Sequence, residues 1–363
     1  ADAWLALHGR HRWRPEPARA FQYYGAQQAA APLRRSSLAS RTLAAQRADA
    51  AAQRVRPADR TSEGAEHPEL VSVGVVWQGE GTGLDVANLT TIAGLWGFPP
   101  EGADAELPLE PLGLPGGWNF APVQLLGGRL RVLRMPAAGA RGPCWARYLV
   151  QLLWTNEELY LQLDSHMRMA PGWDRMARDQ LTRCAELSTR PVLCSYGPGY
   201  NLGTPWWEVP EGDFRARLNC ATVFDSDGIV LVEARELEGH EAGPVRSLFW
   251  GAQFSFSSAE LLREVPYDPQ LQMLFIGEEI LMAVRLFTHG WDVFAPSENL
   301  FFHLWERDYR RVYWRDNSRL FRELLQGSQQ RFHMLLGTAQ EPTPSASAQE
   351  SWPLPGGGEA TSK

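Results

Sequence analysis

The chain has 363 residues, 44% of them hydrophobic and 21% charged, with a formal net charge of -7, enough to bury a sizeable core as one large α/β domain or two average ones. No apolar run approaches a membrane span, no charged-then-apolar leader resembles a secretory signal, and the negative balance argues against a dedicated nucleic-acid binder. Cys144, Cys184, Cys194 and Cys220 show no C-x-x-C spacing and mostly lie in or beside apolar segments, so buried free thiols in a reducing compartment are expected.

Residues 1–66 form an Ala/Arg-rich arm, with 11 Arg against 4 acidic residues in the first 60, and are expected to be disordered or loosely helical. That composition also resembles an organellar transit peptide, the alternative to a cytoplasmic location. Core structure is expected over 67–337. It starts with Leu70 to Trp77, a β-branched run bounded by Pro68 and Gly79 that reads as a buried parallel strand. The Gly-, Pro- and Leu-rich span 79–128 has no clear period and reads as an insertion or long loop. A strand at Leu130 to Met135 follows, then an amphipathic helix opened by Pro143, with Trp145, Tyr148, Leu149, Leu152 and Leu153 on its apolar side. Gly142 before that helix frees N–H groups that could face an anion, with Arg141 beside them; an ordinary turn is the equal alternative.

Leu159 to Leu163 is a short apolar run that stops at Asp164-Ser165-His166. It reads as a buried strand whose carboxyl end emerges at a site, where open α/β sheets bind ligands. In an extended segment Asp164 and His166 leave the same face, so an oxygen and an imidazole nitrogen could grip one divalent cation. Taken alone, the triplet reads more often as a polar turn with Asp164 capping the next helix. A helix from Pro171 to Leu187 and a strand from Pro191 to Tyr196 continue the alternation of a parallel sheet. The loop 197–219 holds Tyr200, Trp206 and Trp207, aromatic residues that grip a sugar or peptide or pack on the core. A turn and strand follow around Asp227-Gly228.

Phe249 to Ser257 carries small residues between aromatics, which lets a ligand approach the backbone. Ser257 and Glu260 have the spacing of a capping box. Gly277-Glu278-Glu279 opens a helix to His289, with Ile280, Ala283, Val284 and Phe287 assigned to its apolar face and Gly290 as its stop. A strand at Trp291 to Ala295 leads to Leu300 to Tyr309, in which His303 stands among aromatics and reads by itself as a core histidine. The tail 338–363, rich in Pro, Ser, Gly and Glu, is expected to be disordered.

In this order, VLRMPAAGARGPCWARYLVQLLW, YLQLDSHMRMAPGWD, RPVLCSYGPGY, FWGAQFSFS, VPYDPQL, GEEILMAVRLFTHGWDVFAP and HLWERDYRR resemble glycosyltransferase family 60. Its members are polypeptide α-N-acetylglucosaminyltransferases that modify hydroxyproline on a cytoplasmic ubiquitin-ligase adaptor. The D-x-H and Gly-Glu segments are more distantly similar to mucin-type polypeptide N-acetylgalactosaminyltransferases. The resemblance implies an α/β GT-A fold, a doubly wound mixed sheet flanked by helices. It also implies UDP-GlcNAc as donor, a Mn²⁺ ion and retention of anomeric configuration. On this chain it implies Asp164, His166 and His303 as metal ligands, and Arg141, Arg147, Asp164, Ser165, Trp250, Gly251 and Ala252 around the donor. Glu278 or Glu279 would act on sugar or acceptor hydroxyls, and Tyr196, Trp206 and Trp207 would meet a protein acceptor; a homodimer is compatible with all of this. Two departures are visible. The family's usual first strand, with its Ser-Tyr-Arg-Asp-like segment, has no counterpart before Leu70, and Gln253 stands where a glycine is expected, a replacement expected to crowd the donor.

Overall fold

A computed structural model describes residues 66, 71–78, 107–108, 112–113, 119–120, 123–125, 130–135, 137–164, 167–201, 215–238, 242–306 and 318–338. The chain divides after Ser62, and everything below concerns the second unit; the expectations for the arm 1–66 and the tail 338–363 fall almost wholly outside the described residues.

Six strands precede the first α-helix among the described residues: β1 (Val73–Gln78), β2 (Leu107–Pro108), β3 (Leu112–Gly113), β4 (Asn119–Phe120), β5 (Val123–Leu125) and β6 (Leu130–Met135). The β-branched run of β1 pairs in parallel with β6, and β5 and β2 extend the sheet antiparallel in the order β1-β6-β5-β2. Strand β1 is only half-buried, however, and the span expected as a loop contributes β2 to β5. Helix α1 (Pro143–Gln151) follows, and Trp145, Leu149 and Leu153 pack with Leu133 and Met135 of β6. Its start is fixed by covalent geometry. Pro143 supplies a helical φ without a wasted N–H, and Gly142 at the N-cap has φ 90°, a region that side chains avoid. A Cβ on Gly142 would also lie 2.8 Å from Cα of Met273.

The remaining elements in chain order are β7 (Leu159–Leu163), β8 (Met167–Met169), α2 (Trp173–Ala185), β9 (Pro191–Ser195), β10 (Arg217–Phe224), β11 (Val230–Glu236), β12 (Val245–Ser247), β13 (Phe254–Ser258), α3 (Leu261–Glu264), α4 (Glu278–Thr288), β14 (Asp292–Ala295), β15 (Phe301–His303) and α5 (Ser318–Leu335). Five of these strands form a mixed sheet in the order β12-β14-β9-β13-β7. The pair β9 and β14 is parallel, and the other neighbours are antiparallel. Successive side chains leave opposite faces, so Val192, Cys194 and Val293 enter one core with Leu281, Met282 and Leu286 of α4. Leu193, Phe254, Phe256 and Phe294 enter the other, with Ala177 and Cys184 of α2. Helices thus cover both faces of a mixed sheet, the α/β arrangement expected from sequence. Each fully buried large apolar side chain contributes roughly 1.5–3 kcal/mol. The hairpin of β10 with β11 and the pair of β15 with β8 complete the described pairing.

Three expectations are corrected. Strand β7 is not an interior parallel strand: it ends the sheet order, runs antiparallel to β13, and Leu159 is 38% exposed. An apolar run signals burial but does not encode its partner's direction. The Ser257 hydroxyl donates to the carbonyl of Ser258 rather than capping α3, whose N-cap is Glu260 with no side-chain cap bond. In α4 the buried positions are Glu278, Leu281, Met282, Ala283 and Leu286, while Phe287 is 74% exposed. All four cysteines are free thiols. No described helix is long and apolar enough to cross a membrane.

Candidate active site

Asp164 follows the last residue of β7, and Tyr196 that of β9. Because β13 is antiparallel to both, its approach, Trp250 to Gln253, arrives at the same sheet edge: Phe254 is opposite Leu163 on one side and Ser195 on the other. Helix α4 leads into β14, which is parallel to β9, so the start of α4 at Gly277 lies at this edge too. Strand β15 brings His303 opposite Met167, just beyond Asp164 along the chain. The carboxyl edge of a sheet is where α/β proteins bind ligands.

Arg147, in the second turn of α1, is the hub. One end of its guanidinium donates to Oε1 of Glu278, and Nη2 donates to Oδ1 of Asp164 at 2.5 Å and to the carbonyl of Ala252 at 3.2 Å. Burial works against the charge of Arg147, but Glu278, Tyr267 and Asp164 outweigh it and hold the group firmly protonated. Glu278 is only 4% exposed, and its Oε1 also accepts from the Tyr267 hydroxyl at 2.7 Å. Glu279, the next residue on the helix, turns a different way. Its Oε1 accepts from the Tyr196 hydroxyl and from the N–H of Ala252 at 2.9 Å. Burial pushes its pKa up to about 7, although the bonds from Tyr196 and Ala252 favour the ionised form. Glu278 is therefore committed to the interior, and Glu279, which is partly exposed, is the better placed of the two to meet a hydroxyl.

Asp164 also faces His303, with Oδ2 and Nε2 3.6 Å apart. Ligand atoms lie about 2 Å from a bound transition-metal ion, so two donors on one ion are at most about 4 Å apart. This oxygen and nitrogen pair meets that limit, and a mixed N/O set suits Mn²⁺. No cluster of three or more His, Cys, Asp or Glu ligands occurs among the described residues; Ser165 and His166 lie outside them. The His303 ring meets Trp305 edge-on, centroids 4.6 Å apart, and Tyr196 meets the same indole at 6.0 Å.

The remaining candidates take varied positions. Arg141 donates to the carbonyls of Ala138 at 2.9 Å and Ala140 at 3.0 Å in its own loop. Trp250 is 2% exposed and its indole donates to the Ser255 hydroxyl at 2.9 Å, so its side chain belongs to the core. Gly251 is close-packed by protein: its N–H reaches Sγ of Cys194 at 2.9 Å, and a Cβ there would lie 2.7 Å from Cε1 of Tyr196 and 2.8 Å from Nδ2 of Asn219. Gln253 is 4% exposed, and its Oε1 accepts from the N–H of Gly197 at 3.3 Å. Trp206 and Trp207 lie outside the described residues.

Two contributors have no role in the sequence reading. Tyr267 lies in VPYDPQL, where only its partner, Glu278, reveals its use. Gln162 donates to the carbonyl of Ala252 at 2.9 Å and is 5% exposed; a polar residue inside the apolar run of β7 was its available signal.

These residues define the class: a mixed α/β protein with carboxylates, an arginine and a histidine gathered at the carboxyl edge of its sheet. The sequence model of the Glycosyltransferase (GlcNAc) family matches residues 119–355, and the chain belongs to that family. No curated protein sequence matches it at a significant level. Among solved structures, the chain is similar to the crystal structure of GalNAc-T7 with UDP, GalNAc and Mn²⁺, at 16% identity and a TM-score of 0.40, over 57% of this chain. The match spans 39% of the length of GalNAc-T7.

Proposed function

We propose that this chain is a retaining, metal-dependent GT-A glycosyltransferase that moves N-acetylglucosamine from UDP-GlcNAc to a protein hydroxyl. Hydroxyproline on a ubiquitin-ligase adaptor is the acceptor that the family 60 resemblance favours. The observation carrying this reading is the approach of Asp164 Oδ2 to His303 Nε2 at 3.6 Å, two residues far apart in sequence that meet at the ligand-binding edge. Asp164, His303 and, by its place in D-x-H, His166 would hold Mn²⁺, which when bound stabilises the charge on the departing diphosphate.

The chain's own residues do the rest. Arg141 and Ser165 would, by the family resemblance, meet the donor. Trp250 to Ala252 form a rigid wall, since Gly251 is packed by Tyr196 and Asn219 and the Ala252 carbonyl and N–H are both bonded. Glu279 orients a sugar or acceptor hydroxyl, with Tyr196 fixing the carboxylate. Tyr196, with Trp206 and Trp207 as the sequence suggests, would meet the acceptor. Among the described residues no carboxylate is singled out as a covalent nucleophile, and in this reading the acceptor hydroxyl attacks the anomeric carbon on the face that UDP leaves. The bond from that carbon to the phosphate oxygen breaks as the new C–O bond forms, and the departing phosphate takes the hydroxyl proton.

Hydrolysis of UDP-GlcNAc, UDP-galactose and UDP-GalNAc by purified protein, with Mn²⁺ or with chelator, tests this reading. Turnover of UDP-GlcNAc in Mn²⁺ alone is expected. Turnover of another donor instead reassigns the sugar, and none at all by a folded protein supports a non-catalytic, protein-binding descendant.

A further inference from the structure

Arg147 carries both a site role and an unusual set of partners. A guanidinium that grips a diphosphate presents its N–H fork to the ligand. Here Nη1 is on Glu278, and Nη2 is on Asp164 and the Ala252 carbonyl. Behind Glu278 stands Tyr267, 3% exposed, so the chain Tyr267, Glu278, Arg147, Asp164 runs from the core to the sheet edge. Its inner members sit on elements with little freedom. Tyr267 and Cys144, which donates to the Leu274 carbonyl at 3.6 Å, belong to the same buried cluster that clamps α1 to the start of α4.

We infer that Arg147 is a positioning residue: braced by Glu278 and Tyr267, it holds Oδ1 of Asp164 so that Oδ2 is presented to a divalent cation beside His303. It is not itself a phosphate ligand. This rests on the assignment of Asp164 and His303 as cation ligands. The physical case is that an aspartate at the end of a strand has a freely rotating carboxylate, and holding one oxygen on a buried, braced guanidinium removes that freedom before the ion arrives. Lysine cannot substitute, because a single ammonium lacks the fork that spans Glu278 and Asp164 together.

The test is Mn²⁺ binding to the full chain without nucleotide, read by electron paramagnetic resonance, alongside UDP binding in chelator read by calorimetry. Arg147→Lys is expected to weaken Mn²⁺ at least tenfold. Removing the arginine alone would leave Glu278 buried and uncompensated, so R147M combined with E278Q gives a charge-balanced second variant with the same expected loss. The inference is overturned if Mn²⁺ affinity is unchanged in R147K and R147M/E278Q, and more pointedly if UDP binding in chelator falls in its place. Wild-type protein that binds no Mn²⁺, or binds it equally well as Asp164→Asn, overturns the cation-site assignment itself, and the inference with it.

Discussion

Glu278 and Glu279 are adjacent in sequence and chemically identical, yet their surroundings divide them. Glu278 is held between a guanidinium and a phenol, while Glu279 has only a phenol and one N–H against the cost of burial. With its pKa raised from 4.5 to about 7, Glu279 retains its proton more tightly folded than unfolded. Its contribution to stability is therefore fully present below about 4.5 and lost as pH rises through about 7. Replacing it with glutamine removes that loss. In denaturant titrations, E279Q is expected to gain on wild type progressively from pH 5 to pH 8, by on the order of 3 kcal/mol at most; parallel pH profiles would contradict the shifted carboxylate. If Glu279 acts as a hydroxyl acceptor, turnover rises through the same interval and falls sharply in the variant. Gly251 supports a second expectation. Its packing against Tyr196 and Asn219 leaves no room for a methyl, so Gly251→Ala is expected to cost roughly 1–3 kcal/mol and to displace Tyr196 from Glu279, seen as a changed tyrosine fluorescence. An alanine variant as stable as wild type would show that the wall yields.

Among the elements, α5 is the least expected and the most consequential for the site. Phe332 is buried, with ring atoms 3.1 and 3.2 Å from where a Cβ of Gly277 would stand, directly under the turn that starts α4. Ser328 donates to the Gln272 carbonyl at 2.6 Å, and Arg331 donates to Asp268 at 2.6 Å, fastening the helix to the loop that carries Tyr267. Phe332→Ala is expected to lower stability by roughly 3–5 kcal/mol in thermal or denaturant unfolding; a loss under 1 kcal/mol would mean α5 is not part of the folded core. The sequence hides this helix because Gly327, Ser328 and three glutamines, Gln326, Gln329 and Gln330, interrupt its apolar period. Where local chemistry is strong, elements are legible: Pro143 after Gly142 marks the start of α1, and Gly277 and Gly290 bracket α4. The face of α4 was not legible, since EILMAVRLF is apolar almost all round and only the tertiary core selects Leu281 and Leu286 over Ile280 and Phe287. The short strands β8, β12 and β15 escape because their partners, not their own residues, define them.

At the scale of the molecule, Asp164, Arg147, Glu278, Glu279 and His303 converge at one sheet edge, within the span 119–355 that the glycosyltransferase family model matches. D-x-H was visible in the sequence, and the family resemblance implied His303 beside it; the residues alone did not, since nothing in Phe301-Phe302-His303 distinguishes a ligand from a core histidine until β15 pairs with β8. Arg147, Glu278 and Tyr267 form one buried network, and only the folded chain shows that Arg147 and Asp164, both expected at the donor, are bonded to each other. The assignment of a shared cation to Asp164 and His303 underlies both the function and the role of Arg147. Crystals of the protein grown with Mn²⁺ and UDP, measured for manganese anomalous scattering, address it directly. The expected result is a single strong peak within about 2.3 Å of both Asp164 Oδ2 and His303 Nε2. A peak elsewhere, or none beside a well-ordered UDP, would contradict it.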